Sequence, residues 1–525
     1  MEMSQSFRYP EFQTIKESGT PELLNLFLQQ VEQYPHNPAV ITAERTISYA
    51  ELARQAQSLA AYLLELGVKN ETPVATLLKS GIEQVVCQVA ILLAGGSCVP
   101  LSVTSPDERL NFMLQEVQAS FTITDRLSDG RPLLTQFILF GSYPRSEQNN
   151  PDFPGQKVAL SHRGYILFTS GTTGRPKAVE VELRGIIRLV VNATYLPIAT
   201  DDRLGSISAP DFDAILLEVW GALLNGAAIV IISRDVLLNP EQLKLTFQKY
   251  AVSSILVTPS LFNFITTLCP SAFRTLSYLM IGGEAFNLEA LRSLPVEEWA
   301  KNIYNVYGPT ENTTYTLYYP IGVDDLTAES IPLGQPIDKT DVFVLDEKLQ
   351  LAAVGEIGEL YVGGDGVARG YLNRPDLTAE KFIVTEIAGE SGPKRLYKTG
   401  DLGWKRADGV FMYTGRIDNQ IKLQGYRIEA EEVEIQLLNT GWLLEAIVCA
   451  VKKEGDEGYL LAFVVPKDPA SFTSRQLLNE LKQRLPPYML PRLHIVDAIP
   501  LNPNGKADRS QLLALHRQQR LSGIA

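Results

Sequence analysis

Histidine and cysteine are scarce in this chain, with four of each among 525 residues. Cys87, Cys98, Cys269 and Cys449 are scattered without metal or disulfide spacing, which points to reduced, buried thiols in a cytoplasmic protein. His36, His162, His494 and His516 are equally dispersed, which argues against a histidine metal site or a His-based triad. An excess of positive charge is also missing. Lysine and arginine number 47 against 60 acidic residues, a net charge of −13, so there is no basic footprint for nucleic acid or a membrane surface. An anionic ligand would have to be met by a local cluster of cations. Long apolar runs are absent as well: residues 89–94 and 227–232 are far too short to cross a bilayer. The start, Met1-Glu-Met-Ser-Gln-Ser-Phe7, lacks the basic and apolar segments of a signal peptide. What remains is an ordinary globular composition in a chain too long for one hydrophobic core, so two or more domains are expected.

The pattern along the chain divides in three. Thr20 and Pro21 open a helix whose face is Leu24, Phe27, Leu28 and Val31. Ser48 and Glu51 form a capping-box signal for a second helix through Leu52, Leu59 and Leu63, stopped at Gly67. Short apolar runs at 74–78, 97–101, 121–124, 166–169, 228–232, 254–257 and 278–281 then alternate with helical patterns. This rhythm predicts mostly parallel sheets covered by helices. After about residue 340, runs at 342–345, 358–363 and 409–414 with Gly/Asp turns predict a β-rich subdomain. The last hundred residues predict a compact α+β unit, with helices at 429–438 and 474–485 and strands at 446–451 and 459–465. The expected architecture is therefore α/β: a large N-terminal domain over 1–417, with layered βαβ-type sheets and the β-rich subdomain, and a small mobile α+β domain over 418–525.

Several short motifs carry chemistry. Thr169-Ser-Gly-Thr-Thr-Gly-Arg-Pro-Lys177 follows an apolar strand. Gly171 and Gly174 let backbone amides approach an anion, and Thr169, Ser170, Thr172, Thr173 and Lys177 add donors. The spacing is not that of a Walker loop, and taken alone such a stretch is most often a flexible turn. Asn305-Val-Tyr-Gly-Pro-Thr-Glu311 brings Tyr307, able to stack on a purine, close to Gly308, Thr310 and Glu311. Glu311 is suited to Mg²⁺, which favours oxygen ligands and polyphosphate. Tyr397-Lys-Thr-Gly-Asp401 and Tyr413-Thr-Gly-Arg-Ile-Asp418 each set an acid after a glycine turn, and Asp401 could accept from ribose hydroxyls. Each of these, alone, reads as a hairpin turn. Far downstream, Lys506 lies in Asn504-Gly-Lys-Ala-Asp508, a cation on a Pro/Gly-rich arm. A phosphate loop and a distant lysine suggest a nucleotide site closed by a separate small domain.

Taken together and in this order, with Gly358-Glu-Leu-Tyr-Val-Gly-Gly-Asp-Gly-Val-Ala-Arg-Gly-Tyr371 between them, the motifs resemble the adenylate-forming enzyme superfamily over nearly the whole chain. That superfamily includes acyl-CoA synthetases, luciferases and the adenylation domains of nonribosomal peptide synthetases. Lys422-Leu-Gln-Gly-Tyr-Arg-Ile-Glu429 and the Lys506 arm are most similar to the peptide-synthetase branch. The resemblance implies two half-reactions: formation of an aminoacyl-AMP from ATP with release of pyrophosphate, then transfer to a phosphopantetheine thiol. By resemblance, Lys506 bridges the substrate carboxylate and phosphoryl oxygens, Thr310 binds the α-phosphate and Glu311 holds Mg²⁺. The loop from Thr169 to Lys177 carries pyrophosphate. Asp401 binds ribose, with Arg416 near it, and Tyr307 and Asn305 bind adenine. Asp418 is the implied hinge, and Lys422 faces the thiol tunnel. Ala178 stands where the family usually has glycine, a small change that should leave activity intact.

Asp213, in a segment that reads as helical over 212–224, matches the carboxylate that pairs with an amino acid's ammonium. A helix N-cap is the plainer alternative for it. The implied pocket walls are Ala214, Leu217, Leu256, Met280, Gly282, Val306, Thr314 and Tyr315, with Lys506 completing the set. These walls are apolar apart from Thr314 and the Tyr315 hydroxyl, so a charged substrate side chain would be buried unpaired. A compact aliphatic or cyclic side chain fits best; the resemblance of this Leu-lined pocket to free-standing prolyl-activating proteins implies L-proline, with leucine, isoleucine and valine as alternatives. No carrier motif follows Lys506, so the expectation is a free-standing protein that loads a separate carrier, similar to prolyl-adenylating proteins of cyanobacterial anatoxin-type pathways; a piece of a larger synthetase is the alternative. An acyl-CoA synthetase is the alternative enzyme, and Asp213 counts against it.

Overall fold

The computed structural model describes residues 22–125, 132–143, 158–286, 288–451, 458–501 and 507–521. Thr20, Pro21 and Lys506 lie outside the described residues. The alternating rhythm becomes two sheets. One has nine strands, and its middle is six parallel strands in spatial order Asn302–Tyr307, Tyr278–Gly282, Ser254–Val257, Arg203–Ser206, Ala228–Ile231 and Pro38–Ile41. Antiparallel strands close both edges. The other has six strands, with five parallel ones ending on Arg163–Thr169 and the antiparallel return Lys177–Glu182 at its edge.

Helices Ile82–Leu93 and Ile215–Leu223 are buried over nearly every residue, which is why their sequences are apolar on all sides rather than along one stripe. Trp220 Nε1 donates to the Tyr165 hydroxyl at 2.7 Å, and that hydroxyl donates to Gln88 Oε1 at 2.8 Å, tying both helices to the six-stranded sheet. The first predicted helix runs Glu22–Gln33. The second runs Tyr49–Glu65, with the Ser48 hydroxyl accepting from the Glu51 amide and Gly67 in the left-handed region just past its end. Among the described residues, no helix is long and apolar enough to cross a membrane.

The β-rich subdomain is an antiparallel five-stranded sheet built around the long strand Pro393–Lys405. In the C-terminal unit, strands Leu443–Val451 and Tyr459–Pro466 pair antiparallel. Helices Ala430–Leu438 and Ser474–Leu481 bury Val433, Leu437, Leu477 and Leu481 in a core with Val448 and Ala462. Three elements here were not anticipated: strand Arg492–Ile495, helix Arg509–Leu521, and the hairpin of Gln420–Leu423 and Tyr426–Glu429. Two ends also differ from expectation. The strand expected at 409–414 starts at Phe411, after the turn at Gly409, and the helix expected to run to 485 stops at Leu481.

Candidate active site

The glycine loop begins where strand Arg163–Thr169 ends and returns as Lys177–Glu182, with Thr169 and Lys177 as cross-strand partners. Gly174 has φ +80, and a Cβ there would sit 2.6 Å from Ile435, so the position needs glycine for conformation and for space. Ser170 and Lys177 are buried, while Thr172 and Thr173 are exposed.

Strand Asn302–Tyr307 feeds a short 3-10 turn, Thr310–Asn312, which buries Glu311 completely. Its carboxylate accepts from Tyr371 Oη at 2.6 Å and from Arg427 Nη1 at 2.7 Å, with Lys177 Nζ at 3.6 Å. Burial pushes this carboxyl up, but the opposing pull of Arg427 and Lys177 is larger and holds it down at about 2. For Lys177, burial and the Arg427 charge outweigh Glu311 and Glu429, and its ammonium is pushed down to about 8.

Asp213 lies just ahead of helix Ile215–Leu223, which carries no side-chain cap; the helix begins later than its sequence suggested. Thr310 Oγ1 donates to Asp213 Oδ2 at 2.6 Å, and Thr314 Oγ1 donates to the Asp213 carbonyl at 2.9 Å. Burial raises the Asp213 carboxyl to about 6 against the Thr310 bond. On the next side of the site, Tyr307 Oη donates to Asp401 Oδ2 and Arg416 Nη1 to Asp401 Oδ1, both at 2.6 Å. Arg416 also forks onto Asp418 at 2.6 and 2.8 Å. Asn305 Nδ2 donates to the Pro332 carbonyl at 2.7 Å.

One cavity of about 1910 Å³ joins these parts. Thr169, Ser170, Asn305, Tyr307, Gly308, Thr310, Asp401, Arg416, Asp418 and Lys422 line it, as do Asp213, Ala214, Leu256, Gly282, Val306, Thr314 and Tyr315. The structure thus brings most of the residues singled out from sequence to one place. Leu217 and Met280 are 1% and 2% exposed and pack in the core without lining the cavity. Glu311 and Lys177 also lie behind the cavity surface.

The hairpin at 420–429 reaches into this cavity. Lys422 Nζ sits 5.1 Å above the Tyr307 ring and 3.8 Å from Asp401. Ser170 Oγ donates to the Arg427 carbonyl at 2.8 Å and accepts from the Glu429 amide at 3.1 Å. One helix further on, Glu432 accepts from the Gly171 amide at 2.9 Å and from Arg109 at 2.6 Å. Sequence reasoning missed Tyr371, Arg427 and Glu432 as partners of the loop and of Glu311. Tyr371 and Arg427 stood within quoted motifs, but nothing local marks which distant carboxylate they meet.

Comparisons with known proteins bear on the family and the fold. A family model described as AMP-binding enzyme matches residues 27–372, and one described as AMP-binding enzyme C-terminal domain matches 432–506. The nonribosomal peptide synthetase asaC of Aspergillus flavus is 37% identical over 94% of this chain and 49% of its own length. Malpibaldin synthetase of Mortierella alpina is 36% identical over 93% of this chain and 9% of its own. The chain therefore spans half or less of the length of these curated relatives. Among solved structures, holo-PA1221, an NRPS protein containing adenylation and PCP domains bound to a vinylsulfonamide inhibitor, superposes with a TM-score of 0.86 at 29% identity, covering 94% of this chain and 84% of that one. With a family model covering more than half of its residues and the matching C-terminal model following in order, the chain belongs to the AMP-binding enzyme family.

Proposed function

We propose that this chain activates an amino acid with ATP, giving aminoacyl-AMP and pyrophosphate, and passes the aminoacyl group to the phosphopantetheine thiol of a carrier protein in the cytoplasm. The observation that carries the reading is Asp213. Its carboxylate lies in the same cavity as the ATP-type motifs, in contact with Thr310, and its elevated pKa marks a charge in want of a cationic partner. An amino acid's ammonium supplies one; a plain carboxylic acid does not.

In the first half-reaction the substrate carboxylate attacks the α-phosphorus, and the bond to pyrophosphate breaks. Charge builds on phosphoryl oxygens, so fixed donors and cations do most of the work. Thr310 would meet the α-phosphate, Lys177 and the loop amides the departing pyrophosphate, Asp401 the ribose, and Tyr307 with Asn305 the adenine. Arg416 would lie at the ribose edge, and Lys506 would bridge the two reacting groups. Glu311 suits Mg²⁺ as an ionised oxygen ligand; Arg427 and Lys177 balance its charge in this orientation, and the ion would take the place of Arg427 there. A single carboxylate plus substrate phosphates is a usual Mg²⁺ set, and the ion would supply neutralisation of phosphate charge.

The docked hairpin supports assigning this orientation to the second half-reaction. Glu432 on the Gly171 amide and Arg427 on Glu311 use contacts that a phosphate and its metal would need. Rotation of a unit comprising 418–525 about Asp418 would exchange this face for the Lys506 arm. Leu256, Val306, Ala214 and Gly282 give the side-chain pocket a compact apolar wall, which supports proline, then leucine, isoleucine or valine.

ATP–pyrophosphate exchange across the common amino acids tests the reading. Proline or a small aliphatic amino acid should drive exchange. Exchange driven by fatty or aryl acids alone would establish the acyl-CoA synthetase alternative, and preference for a charged amino acid would overturn the pocket assignment.

A further inference from the structure

Arg188 sits on helix Leu183–Val190, is 2% exposed, and makes no direct ion pair with a carboxylate among the described residues, Asp365 acting on it only through charge. Burial pushes its pKa down to about 10. Burying a cation without a counter-ion is costly unless its hydrogen bonds are met in full. Here the two terminal nitrogens are met, by three backbone carbonyls and one hydroxyl, while the buried Nε has no partner among the described residues. Nη2 donates to the carbonyls of Asn312 at 2.7 Å, Thr313 at 3.2 Å and Tyr315 at 2.7 Å, and Nη1 donates to Thr340 Oγ1 at 2.6 Å.

The segment so gripped is unusual. Thr313 and Thr314 are consecutive non-glycine residues in the left-handed region, with φ of 52 and 68. Each such residue costs on the order of 1 kcal/mol or more, and two in succession persist only where surroundings impose them. Three carbonyls converging on one point would also repel one another without a cation between them. The same segment carries Glu311 at one end and the cavity residues Thr314 and Tyr315 at the other. Gly366 completes the seat: a Cβ there would lie 2.5 Å from the Arg188 guanidinium carbon.

We propose that Arg188 is a positioning residue that fixes the Glu311 carboxylate and the Thr314–Tyr315 pocket wall as one unit, so that it sets nucleotide and amino-acid affinity together. The proposal rests on the assignment of Glu311 to the nucleotide and of Thr314 and Tyr315 to the amino acid. Arg188 touches neither ligand. Its planar fork matters because three carbonyls are held by one nitrogen while the other is anchored on the β-rich subdomain; a lysine cannot hold this geometry.

The test uses the full chain carrying Arg188→Lys, Arg188→Met or Thr340→Val. Exchange rates are normalised to competent sites by burst titration of aminoacyl-AMP, and Mg-ATP binding is measured by calorimetry without amino acid. Arg188→Lys should raise KM for the amino acid and weaken Mg-ATP binding by roughly tenfold or more each, and lower kcat per competent site by up to about 10²-fold, the scale of an ångström-level misplacement. It should also flatten the ranking among small aliphatic amino acids. Thr340→Val, which keeps all three carbonyl contacts, should shift the same parameters less and in the same direction. Gly366→Ala, which presses on the guanidinium, should follow Arg188→Lys. A purely structural role would lower the number of competent sites and leave KM, the ranking and Mg-ATP affinity unchanged; that result overturns the proposal. If Arg188→Met does not fold, unchanged values in both Arg188→Lys and Thr340→Val overturn it equally. If the unmodified protein exchanges with no amino acid, the functional reading fails, and calorimetry with Mg-ATP still decides the role of Arg188.

Discussion

Replacing Asp213 by asparagine should make the protein more stable and useless. Burial raises the Asp213 carboxyl from 3.8 to about 6, against the opposing Thr310 hydrogen bond. Two pKa units correspond to about 3 kcal/mol by which the folded state disfavours the charged form. The side chain faces the cavity and water reaches it, so roughly 1–3 kcal/mol is the working range. The sign follows from linkage. A carboxyl whose folded pKa exceeds its unfolded one causes no penalty below about pH 4. The penalty grows between about 4 and 6, reaches about half by pH 5, and is complete above about 6. Asparagine keeps an oxygen for the Thr310 hydroxyl and removes the charge. Asp213→Asn should therefore melt roughly 1–3 °C higher at pH 7.5, with the gain about halved at pH 5. Its amino-acid-dependent exchange should fall about 10²–10⁴-fold, the cost of leaving a largely dry ammonium unpaired. In the unmodified protein, KM for the amino acid should rise as pH falls through about 6, because protonated Asp213 no longer pairs. Differential scanning calorimetry at both pH values and exchange kinetics decide the matter. No gain in stability at pH 7.5, an equal gain at both pH values, or a variant that still activates amino acids would refute the reasoning.

Other expectations follow from the two-orientation reading. Lys506→Ala should lower adenylation by several orders of magnitude, at least the about 3–4 kcal/mol of one preorganised contact, while thioester formation from preformed aminoacyl-AMP changes little; equal loss of both in stopped assays would exclude domain exchange. Asp418→Pro fixes φ near −65° and restricts Ile417, so exchange should continue while carrier loading fails, as read by mass spectrometry of the carrier. Arg427→Ala removes a charge-assisted contact to Glu311, and should slow thiol transfer about 10–100-fold while leaving exchange within about threefold. A larger loss of exchange than of transfer would place Arg427 in the first half-reaction.

Much of the fold was legible because its parallel strands are short, buried and punctuated. The runs at 121–124 and 254–257 begin and end where the strands Phe121–Thr124 and Ser254–Val257 do. The hairpin at 420–429 escaped for a physical reason. Its turn uses Gln424 and Gly425, both at positive φ, but a Gln-Gly pair is a weaker hairpin signal than Asn-Gly. Lys422 and Arg427 also face one another across it, which reads as a solvated surface until their carboxylate partners are known. Arg188 was hidden likewise: an arginine among apolar residues in a short helix looks like an exposed position, and its carbonyl partners lie more than 120 residues away. The nucleotide motifs were readable because each is local. The contacts between them, Tyr371 with Glu311 or Thr310 with Asp213, join distant segments and have no signature in either one.

A net charge of −13 poses a question for any protein that handles ATP, and the cavity suggests how it is met. The cations beside the glycine loop, Glu311 and Asp401 are already committed. Lys177 and Arg427 lie against Glu311 and Glu429, while Arg416 and Lys422 lie against Asp401, with Arg416 also holding Asp418. In this orientation they are neutralised by carboxylates, and the Gly171 amide holds Glu432 rather than a phosphate. On the proposed rotation, a nucleotide triphosphate could use these groups only after the hairpin and the helix that follows it withdraw Arg427, Lys422, Glu429 and Glu432 together. Arg416 is the exception, since it stays on the near side of the proposed hinge and bridges Asp401 to Asp418. A ribose that engages Asp401 would compete with one of its two partners and leave the other, at the pivot itself. On the proposed reading, occupancy of the nucleotide site and position of the small domain are therefore coupled through shared charges, with Arg416 as the contact between them.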